Sequence, residues 1–247
     1  MLPIRDFVPS RTVPFITWAL VGVNVLFWLG QVALGQLGVQ HVVLSWGLVP
    51  GRLLADPPGE AVTVLTSMFL HGDWAHIIGN MVFLVIFGDN VEDALGHARF
   101  LVFYVLAGVA AAAAQVGIDP SSAIPMVGAS GAIAGVLGAY LVLHPRANIA
   151  VLNPILPLWL WLGPIFTLPS WAVIGYWFFF DNVLNALGRI GMAAEGGVAF
   201  FAHIGGFVAG VLAVRPFLFG RRRPVRRDAW VGWRGPAERP RALGEWR

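Results

Sequence analysis

Residues 198–218, VAFFAHIGGFVAGVLAVRPFL, form a long apolar stretch that carries a histidine, His203, close to its beginning. A helix needs about 20 mostly apolar residues to cross a bilayer, so this stretch predicts a membrane-spanning helix. Ionisable groups at membrane depth are costly, which makes His203 a candidate functional residue. Gly206 and Gly210 follow it at spacings of three and four, so they share a helical face with His203.

Further apolar stretches of similar length precede this one. They cover residues 14–34, 73–93, 98–116, 128–144 and 166–187. Six spans in one domain, residues 1–220, are therefore predicted, and the expected fold class is an all-α polytopic membrane bundle. The composition agrees, because 57% of the residues are apolar and 12% are charged, whereas about a quarter of an average soluble domain is charged. So few charges could not cover a soluble particle, which excludes a soluble monomer.

The arginines indicate how the spans are oriented. The chain has no lysine, and six spans divide its 16 arginines 14 to 2 between the two sides, with Arg52 and Arg189 on the minority side. By the positive-inside rule, both termini are cytoplasmic. Residues 221–247 hold nine of the arginines and predict a basic, disordered cytoplasmic tail near anionic headgroups. The basic charge belongs to this tail, so no nucleic-acid partner is expected.

Two long connections are unusual in composition. Residues 35–72, on the outer side, are too apolar for a solvated loop and are expected to lie partly in the membrane interface. Residues 145–165, on the inner side, include Pro154, Pro157 and Pro164, which argue against a seventh span. At the inner end of the second span, Glu92 is expected to pair with Arg99 or to cap backbone groups.

Two other spans carry polar or small residues near the same end as His203. The second contains His76 and Asn80, four residues apart on one helical face, and the fourth opens with GASG at 128–131. Even-numbered spans enter the membrane from the outside, and each group lies in the first turns of its span. The three groups are therefore expected at one depth, toward the outer side.

Glycines are expected to bring the fourth and sixth spans together. From Gly131 onward, glycines recur on the fourth span at spacings of four and three, and Gly206 and Gly210 are four residues apart on the sixth. Small residues at such spacing let helix backbones approach closely. Contact between these spans would place Ser130 beside His203. The glycines expected to have a structural role near the site are Gly128, Gly131, Gly206 and Gly210.

The residue types at this depth suit acyl transfer. A serine hydroxyl is a weak nucleophile that needs an adjacent base, and neutral imidazole is the usual base at neutral pH. Ser130 and His203 supply these two groups. The reaction also needs hydrogen-bond donors at the developing oxyanion. The backbone N–H of Ser130 at a helix start, the Asn80 amide and the His76 ring are the candidate donors.

Each of these residues also has an ordinary structural explanation. A glycine-flanked serine can be a packing motif, a histidine at a helix end can be solvated, and an asparagine can bond a neighbouring helix. The shared depth and complementary chemistry favour a site. A carboxylate from Asp181 or Glu195 would be a third catalytic group beside the serine and the histidine, but this interpretation is less favoured. No metal or other cofactor is expected, because no His-Glu-x-x-His motif occurs and His71 and His76 are five residues apart.

Four motifs resemble those of the rhomboid intramembrane serine proteases, in that family's order. They are HIIGN at 76–80, GDNVEDALG at 88–96, GASG at 128–131 and AHIGG at 202–206, with Gly210 after the last. The resemblance covers residues 14–218. It implies a Ser-His dyad, with Ser130 as the nucleophile and His203 as the general base and then acid. It also implies an oxyanion hole lined by His76 and Asn80.

The resemblance further implies that transmembrane segments of other proteins are the substrates. It implies that residues 35–72 lie in the membrane and that the aromatic-rich fifth span moves aside as a lateral gate. One position departs from the pattern of better-known members, which often have an aromatic residue against the imidazole four residues after the nucleophile. This chain has Ala134 there, so the orientation of His203 must come from elsewhere.

Three functions are compatible with such a bundle. An intramembrane serine endopeptidase is favoured, because the chain has both nucleophile and base. The alternative is a non-catalytic rhomboid-like binder of transmembrane segments, acting in chaperoning or quality control. A transporter or channel is disfavoured, because the inner halves of the even-numbered spans are apolar or small. Abundant arginine without lysine indicates a GC-rich bacterial genome, hence a cell-membrane protein whose site faces outward and whose partners are lipid and transmembrane proteins.

Overall fold

Long apolar helices dominate the computed structural model, which describes residues 2–153, 159, 163–188 and 200–220. In chain order, the described elements used below are β1 (Leu2–Asp6), α1 (Phe15–Ala33), α2 (Gly35–Trp46), α3 (Pro50–Ala55), α4 (Pro57–Glu60), α5 (Thr63–Thr66), α6 (Trp74–Leu95), α7 (His97–Ile118), α8 (Ser130–Leu143), β2 (Asn148–Leu152), β3 (Ile165–Pro169), α9 (Ser170–Phe178), α10 (Leu184–Gly188) and α11 (Phe200–Phe217). A π-helical turn, Phe179–Val183, joins α9 to α10. The predicted tail and Glu195 lie outside the described residues.

Each predicted span contains a helix in the described structure. By length and apolar composition, four described helices can cross a membrane, namely α1, α6, α7 and α11. Helix α8 has 14 residues, which is about 21 Å of helix. The fifth predicted span begins too early, because residues 165–169 form β3 and helix α9 starts only after Pro169. Proline has no backbone N–H, and its fixed φ suits the position before a helix. The count of six spans remains a prediction.

Helix α8 lies at the centre of the bundle, in contact with α6, α7 and α11. From Gly131 to Tyr140 every residue of α8 is buried. Its backbone packs directly on that of α11: a Cβ added to Gly210 would lie 2.0 Å from the carbonyl oxygen of Gly135. Only glycine allows two helices to approach this closely. The contact predicted from the glycine spacing therefore exists, and it aligns the first turns of α8 and α11.

A small antiparallel sheet closes one end of the bundle. Strand β2 pairs with both β1 and β3, with Leu2 opposite Leu152 and Asn148 opposite Pro169. Only helices are predicted from the sequence, so these strands are an addition to the expected fold. They place the N-terminus and the connection after α8 at the same end of the molecule, as an even number of intervening spans requires.

The C-terminal end of α6 is tied to the start of α1 by a buried carboxylate. Glu92 is fully buried and accepts hydrogen bonds from the backbone N–H groups of Ile16 at 2.9 Å and Thr17 at 2.8 Å. It thereby caps helix α1, as one of the two expectations states. The expected pair with Arg99 is wrong, because that guanidinium donates to the carbonyl oxygen of Phe217 at 2.9 Å. The backbone groups at the helix end satisfy it instead.

The 35–72 connection folds into helices α2 to α5. Apolar side chains such as Leu37 remain 81% exposed on its surface, which agrees with the predicted position in the membrane interface. Its arginine, Arg52, donates to Glu60 at 3.0 Å and to the carbonyl oxygen of Leu44 at 2.6 Å. These bonds link helix α3 to α2 and α4.

Candidate active site

Ser130 and His203 meet where α8 and α11 begin. Ser130 is the first residue of α8, and its Oγ lies 2.7 Å from Nε2 of His203. The imidazole is 9% exposed, in the first turns of α11. The glycine contact between the two helices sets this distance, since neither helix can shift without separating their packed backbones.

The other ring nitrogen of His203 also has a partner. Nδ1 lies 2.6 Å from Oδ1 of Asn182, in the π-helical turn after α9. A carboxamide oxygen only accepts hydrogen bonds, so Nδ1 carries the proton. Nε2 is then unprotonated in the neutral ring and accepts the hydrogen bond from the Ser130 hydroxyl. This is the protonation state that a general base requires.

Asp181, one of the two carboxylates considered as a third group, does not occupy this position. It is exposed and directly precedes Asn182 in the chain, so the group beside Nδ1 is the neighbour of the residue considered. A polar side chain inside an apolar span is itself a signal of function, and Asn182 satisfies it as well as Asp181 does. The face of the imidazole is covered by Trp177, whose ring centroid is 5.8 Å away. Ala134 is fully buried.

His76 and Asn80 face the turn that precedes Ser130. That turn contains Gly128, whose φ is +119°. A Cβ added there would lie 2.5 Å from Nε2 of His76 and 3.5 Å from Nδ2 of Asn80. Helix α6 therefore presents both predicted polar groups to the backbone of the fourth span's first turn. Asp73 caps the same helix end by accepting from the N–H of His76 at 2.8 Å.

Asn80 is oriented by a second histidine, His71, for which the sequence pattern indicates no specific role. Nδ2 of Asn80 lies 3.0 Å from Nε2 of His71, and since an amide nitrogen only donates, Nε2 accepts. Burial, with a further contribution from His76, lowers the pKa of His71 to about 3. The ring is therefore neutral, as an acceptor must be. Gln31 fixes the backbone of His71 through two hydrogen bonds, of 3.0 and 3.1 Å.

These residues line one cavity of about 670 Å³. Ser130, His203, His76 and Asn80 all contribute to its wall, together with apolar side chains such as Met68 and the ring of Trp177. The volume lies within the range of sites that bind small ligands. The first N–H groups of α8 have no intrahelical partner and carry the positive end of the helix dipole.

The polar groups therefore supply each element of acyl transfer: a nucleophile, a base with the correct protonation state and several hydrogen-bond donors. Within the part of the chain that the structure describes, no group of three or more His, Cys, Asp or Glu side chains could hold a metal ion.

Comparison with known proteins gives the same family that the motifs resemble. The family model of the rhomboid domain matches residues 58–219. The chain is 34% identical over 129 residues to Rhomboid protease GluP of Bacillus subtilis, which covers 52% of this chain and 24% of that protein. It is 30% identical over 203 residues to Rhomboid-like protease 5 of Toxoplasma gondii, an alignment that covers 76% of this chain and 21% of that protein.

A third relative is Rhomboid protein 1, mitochondrial, of Saccharomyces cerevisiae, at 26% identity over 203 residues, covering 80% of this chain and 51% of that protein. The chain thus spans less than two thirds of the length of the curated relatives it matches.

Proposed function

The chain belongs to the rhomboid family, and from that premise we propose that it is an intramembrane serine endopeptidase that hydrolyses peptide bonds in or near transmembrane segments of other proteins. Its apolar helices and its family identify it as an integral membrane protein. The observation that carries the proposal is the 2.7 Å hydrogen bond between Ser130 Oγ and His203 Nε2 inside a cavity. Relatives that carry the name protease support it.

In the first half of the proposed reaction, Ser130 Oγ attacks the carbonyl carbon of the substrate while His203 Nε2 takes the hydroxyl proton. The carbonyl oxygen becomes an oxyanion, which accepts hydrogen bonds from the N–H of Ser130 and from the amide of Asn80, with His76 adjacent. The imidazolium then gives its proton to the leaving amine nitrogen. The carbon–nitrogen bond breaks, and an ester between the substrate and Ser130 remains.

In the second half, a water molecule replaces the departed amine. His203 Nε2 takes one of its protons as the water oxygen attacks the ester carbon, and the same donors stabilise the second oxyanion. The proton then passes to Ser130 Oγ, the ester bond breaks, and the product leaves as a carboxylic acid. Each proton taken by His203 is returned, so the ring ends neutral and the cycle needs no cofactor.

A substrate helix must reach the cavity from the side. The ring of Phe83 on α6 lies 6.2 Å from that of Trp177 on α9, and both side chains line the cavity. We place the lateral entrance at this contact, with α9 as the element that moves. A helical segment hides its carbonyl groups in hydrogen bonds, so substrates carry glycine, proline or polar residues near the cut. By the family resemblance, a small residue precedes the scissile bond.

The proposed orientation puts the termini in the cytoplasm of a bacterial cell and the cavity toward the outer side, as the arginine distribution indicates. The alternative function, binding transmembrane segments without cleaving them, would not require the hydrogen-bonded serine and histidine. The two functions differ in whether product forms.

The decisive experiment is cleavage of a transmembrane substrate by purified protein in detergent, with labelling of the serine by a fluorophosphonate as a substrate-independent readout. Wild type is expected to cut and to be labelled, and Ser130→Ala and His203→Ala to remain at background. His41→Ala, which removes an exposed histidine of α2, is the matched control and should retain activity. An inert wild type that is not labelled, or a Ser130→Ala variant that still cuts, would overturn the proposal.

A further inference from the structure

The side chain of Asn182 joins the fifth predicted span to the imidazole of His203. It is 1% exposed, and its two polar atoms have separate partners. Oδ1 accepts from His203 Nδ1 at 2.6 Å, and Nδ2 donates to the carbonyl oxygen of Trp177 at 2.8 Å. A flipped amide would place its oxygen against the carbonyl oxygen of Trp177 and lose that bond, and an unpaired buried polar group is costly. The two contacts therefore fix the carboxamide in one orientation.

That orientation determines the tautomer of the base. An isolated neutral imidazole can carry its proton on either nitrogen, and only the Nδ1–H form leaves Nε2 free to accept from Ser130. An acceptor held at Nδ1 stabilises this form. A third group that orients the base in this way recurs in serine and cysteine hydrolases, and a carboxamide can supply it as well as a carboxylate.

The segment that carries Asn182 also holds the face of the ring. Trp177 lies over the imidazole at 5.8 Å, and Phe178 stacks on Phe207 of α11 at a centroid distance of 4.1 Å. Ala134, on α8, has no ring to offer. The α9 to π-turn segment thus contacts both the edge and the face of the imidazole. Single-turn π-helices are frequent at functional sites.

We propose that Asn182 is a positioning residue for His203: by accepting from Nδ1–H, it holds the base in the tautomer and orientation needed to deprotonate Ser130. Docking of the α9 to π-turn segment against α11 then completes the site. This inference rests on the proposed function for its effect on rate, but its effect on the tautomer can be measured without any substrate.

The chain offers a matched control for this contact. Asn185 makes the same kind of hydrogen bond to the backbone five residues earlier, from Nδ2 to the carbonyl oxygen of Phe180 at 2.9 Å. It is exposed, whereas Asn182 is buried. Asn185→Leu therefore removes an equivalent bond to the turn, whereas Asn182→Leu removes the bond to the turn and the bond to His203. Asn182→Asp keeps the acceptor for Nδ1.

The test measures two quantities in full-length protein in detergent. The first is the rate at which a fluorophosphonate labels Ser130, together with kcat/KM for a transmembrane substrate. The second is the tautomer of His203, from the nitrogen chemical shifts of protein labelled with ¹⁵N-histidine, with the signal assigned by its loss in His203→Ala. Thermal unfolding of each variant shows that it is folded.

Asn182→Leu is expected to lower labelling and kcat/KM by about 10- to 100-fold, the range that misplaced catalytic groups show. In the same variant, His203 should move from the Nδ1–H form to a mixture of tautomers. Asn185→Leu should resemble wild type in both quantities, and Asn182→Asp should retain more labelling than Asn182→Leu and keep the Nδ1–H form.

Two results would overturn the inference: unchanged labelling and an unchanged tautomer in Asn182→Leu, or equal losses in Asn182→Leu, Asn182→Asp and Asn185→Leu. The second would mean that Asn182 only holds the turn. Failure of the proposed function appears differently, as a wild type that neither cuts nor is labelled, whatever the tautomer of His203.

Discussion

Gly206 on α11 packs on Gly131 of α8 so closely that a Cβ on Gly206 would lie 2.0 Å from the carbonyl oxygen of Gly131. Gly206 lies about one helical turn after His203, and Gly131 directly follows Ser130. The distance between the proposed nucleophile and base therefore depends on a backbone contact between glycines, and that contact can be tested without altering either catalytic group.

Gly206→Ala should separate α8 from α11. Because the added methyl group would meet backbone and not a flexible side chain, we expect destabilisation of about 1–3 kcal/mol, the usual range for overpacking, with a large loss of Ser130 labelling. Thermal unfolding and labelling in detergent measure the two effects. Gly22→Ala on α1, where nothing lies within 4 Å of the added Cβ, is the control. Equal behaviour of the two variants would show that the glycine contact does not set the site.

Gly128→Ala should impair the oxyanion site specifically. The φ of +119° is unfavourable for alanine, and the new Cβ would lie 2.5 Å from Nε2 of His76. We expect kcat to fall by about 100-fold, as when an oxyanion donor is lost. Steady-state cleavage is the measurement. Gly72→Ala, at the same cavity but with open space around the added Cβ, should cut normally, and a parallel loss in both would contradict the assignment.

His71 should act on catalysis through Asn80. Asn80→Ala removes a proposed oxyanion donor, with an expected loss of about 100-fold in kcat. His71→Ala leaves the donor but frees the amide that His71 holds at 3.0 Å, so a smaller loss is expected. In the double variant, the two effects should not add, because both act through one amide. Additive losses in this double-mutant cycle would mean that the two residues work independently.

The helical part of this fold follows from apolar stretches, and the sheet does not. Each span is an apolar run with its own local pattern, whereas β1 and β2 pair residues about 150 positions apart in strands of five residues. Such short strands show little alternation, and the central one, NIAVL, is buried on both sides. Only the folded bundle brings these segments together.

The candidate site likewise contains residues that can be identified from the sequence and one whose role cannot. Ser130, His203, His76 and Asn80 can be identified because each is a polar residue in an apolar helix, at the same predicted depth. The role of Asn182 depends on the π-helical turn, which changes the helical repeat and has no recognisable signal in the sequence. Sequence reasoning thus finds the proposed reacting groups but not the contact that is proposed to orient them.

Phe83→Ala should make lateral entry easier. The contact between the rings of Phe83 and Trp177, at 6.2 Å, lies across the proposed entrance, and aromatic pairs of this kind contribute about 0.5–1.5 kcal/mol. Its loss should raise the cleavage rate of a transmembrane substrate by about two- to tenfold if opening limits the rate. Trp177 remains in place against His203. Labelling by a small fluorophosphonate should not change, and a rise in labelling equal to the rise in cleavage would argue against a gate.

Asp6 should make the docking of β1 sensitive to pH. Its Oδ2 accepts from the hydroxyl of Tyr140 at 2.7 Å and from Nδ2 of Asn90 at 2.8 Å. Burial raises the pKa of Asp6 to about 7, against the opposing effect of the Tyr140 bond and with a further increase from the nearby Asp89. Between about pH 4 and pH 7, the folded protein therefore keeps a proton that the unfolded chain has released.

The unfolded state binds fewer protons over that range, so this residue's contribution to stability falls as the pH rises and levels off above about pH 7. Wild type should lose more thermal stability between pH 5 and pH 8 than Asp6→Asn does, because the amide cannot ionise but can still accept both hydrogen bonds. Asp56→Asn, at an exposed helix cap, controls for removing a carboxylate. If Asp6→Asn loses as much stability over this range as wild type, the carboxyl of Asp6 is not the group that titrates.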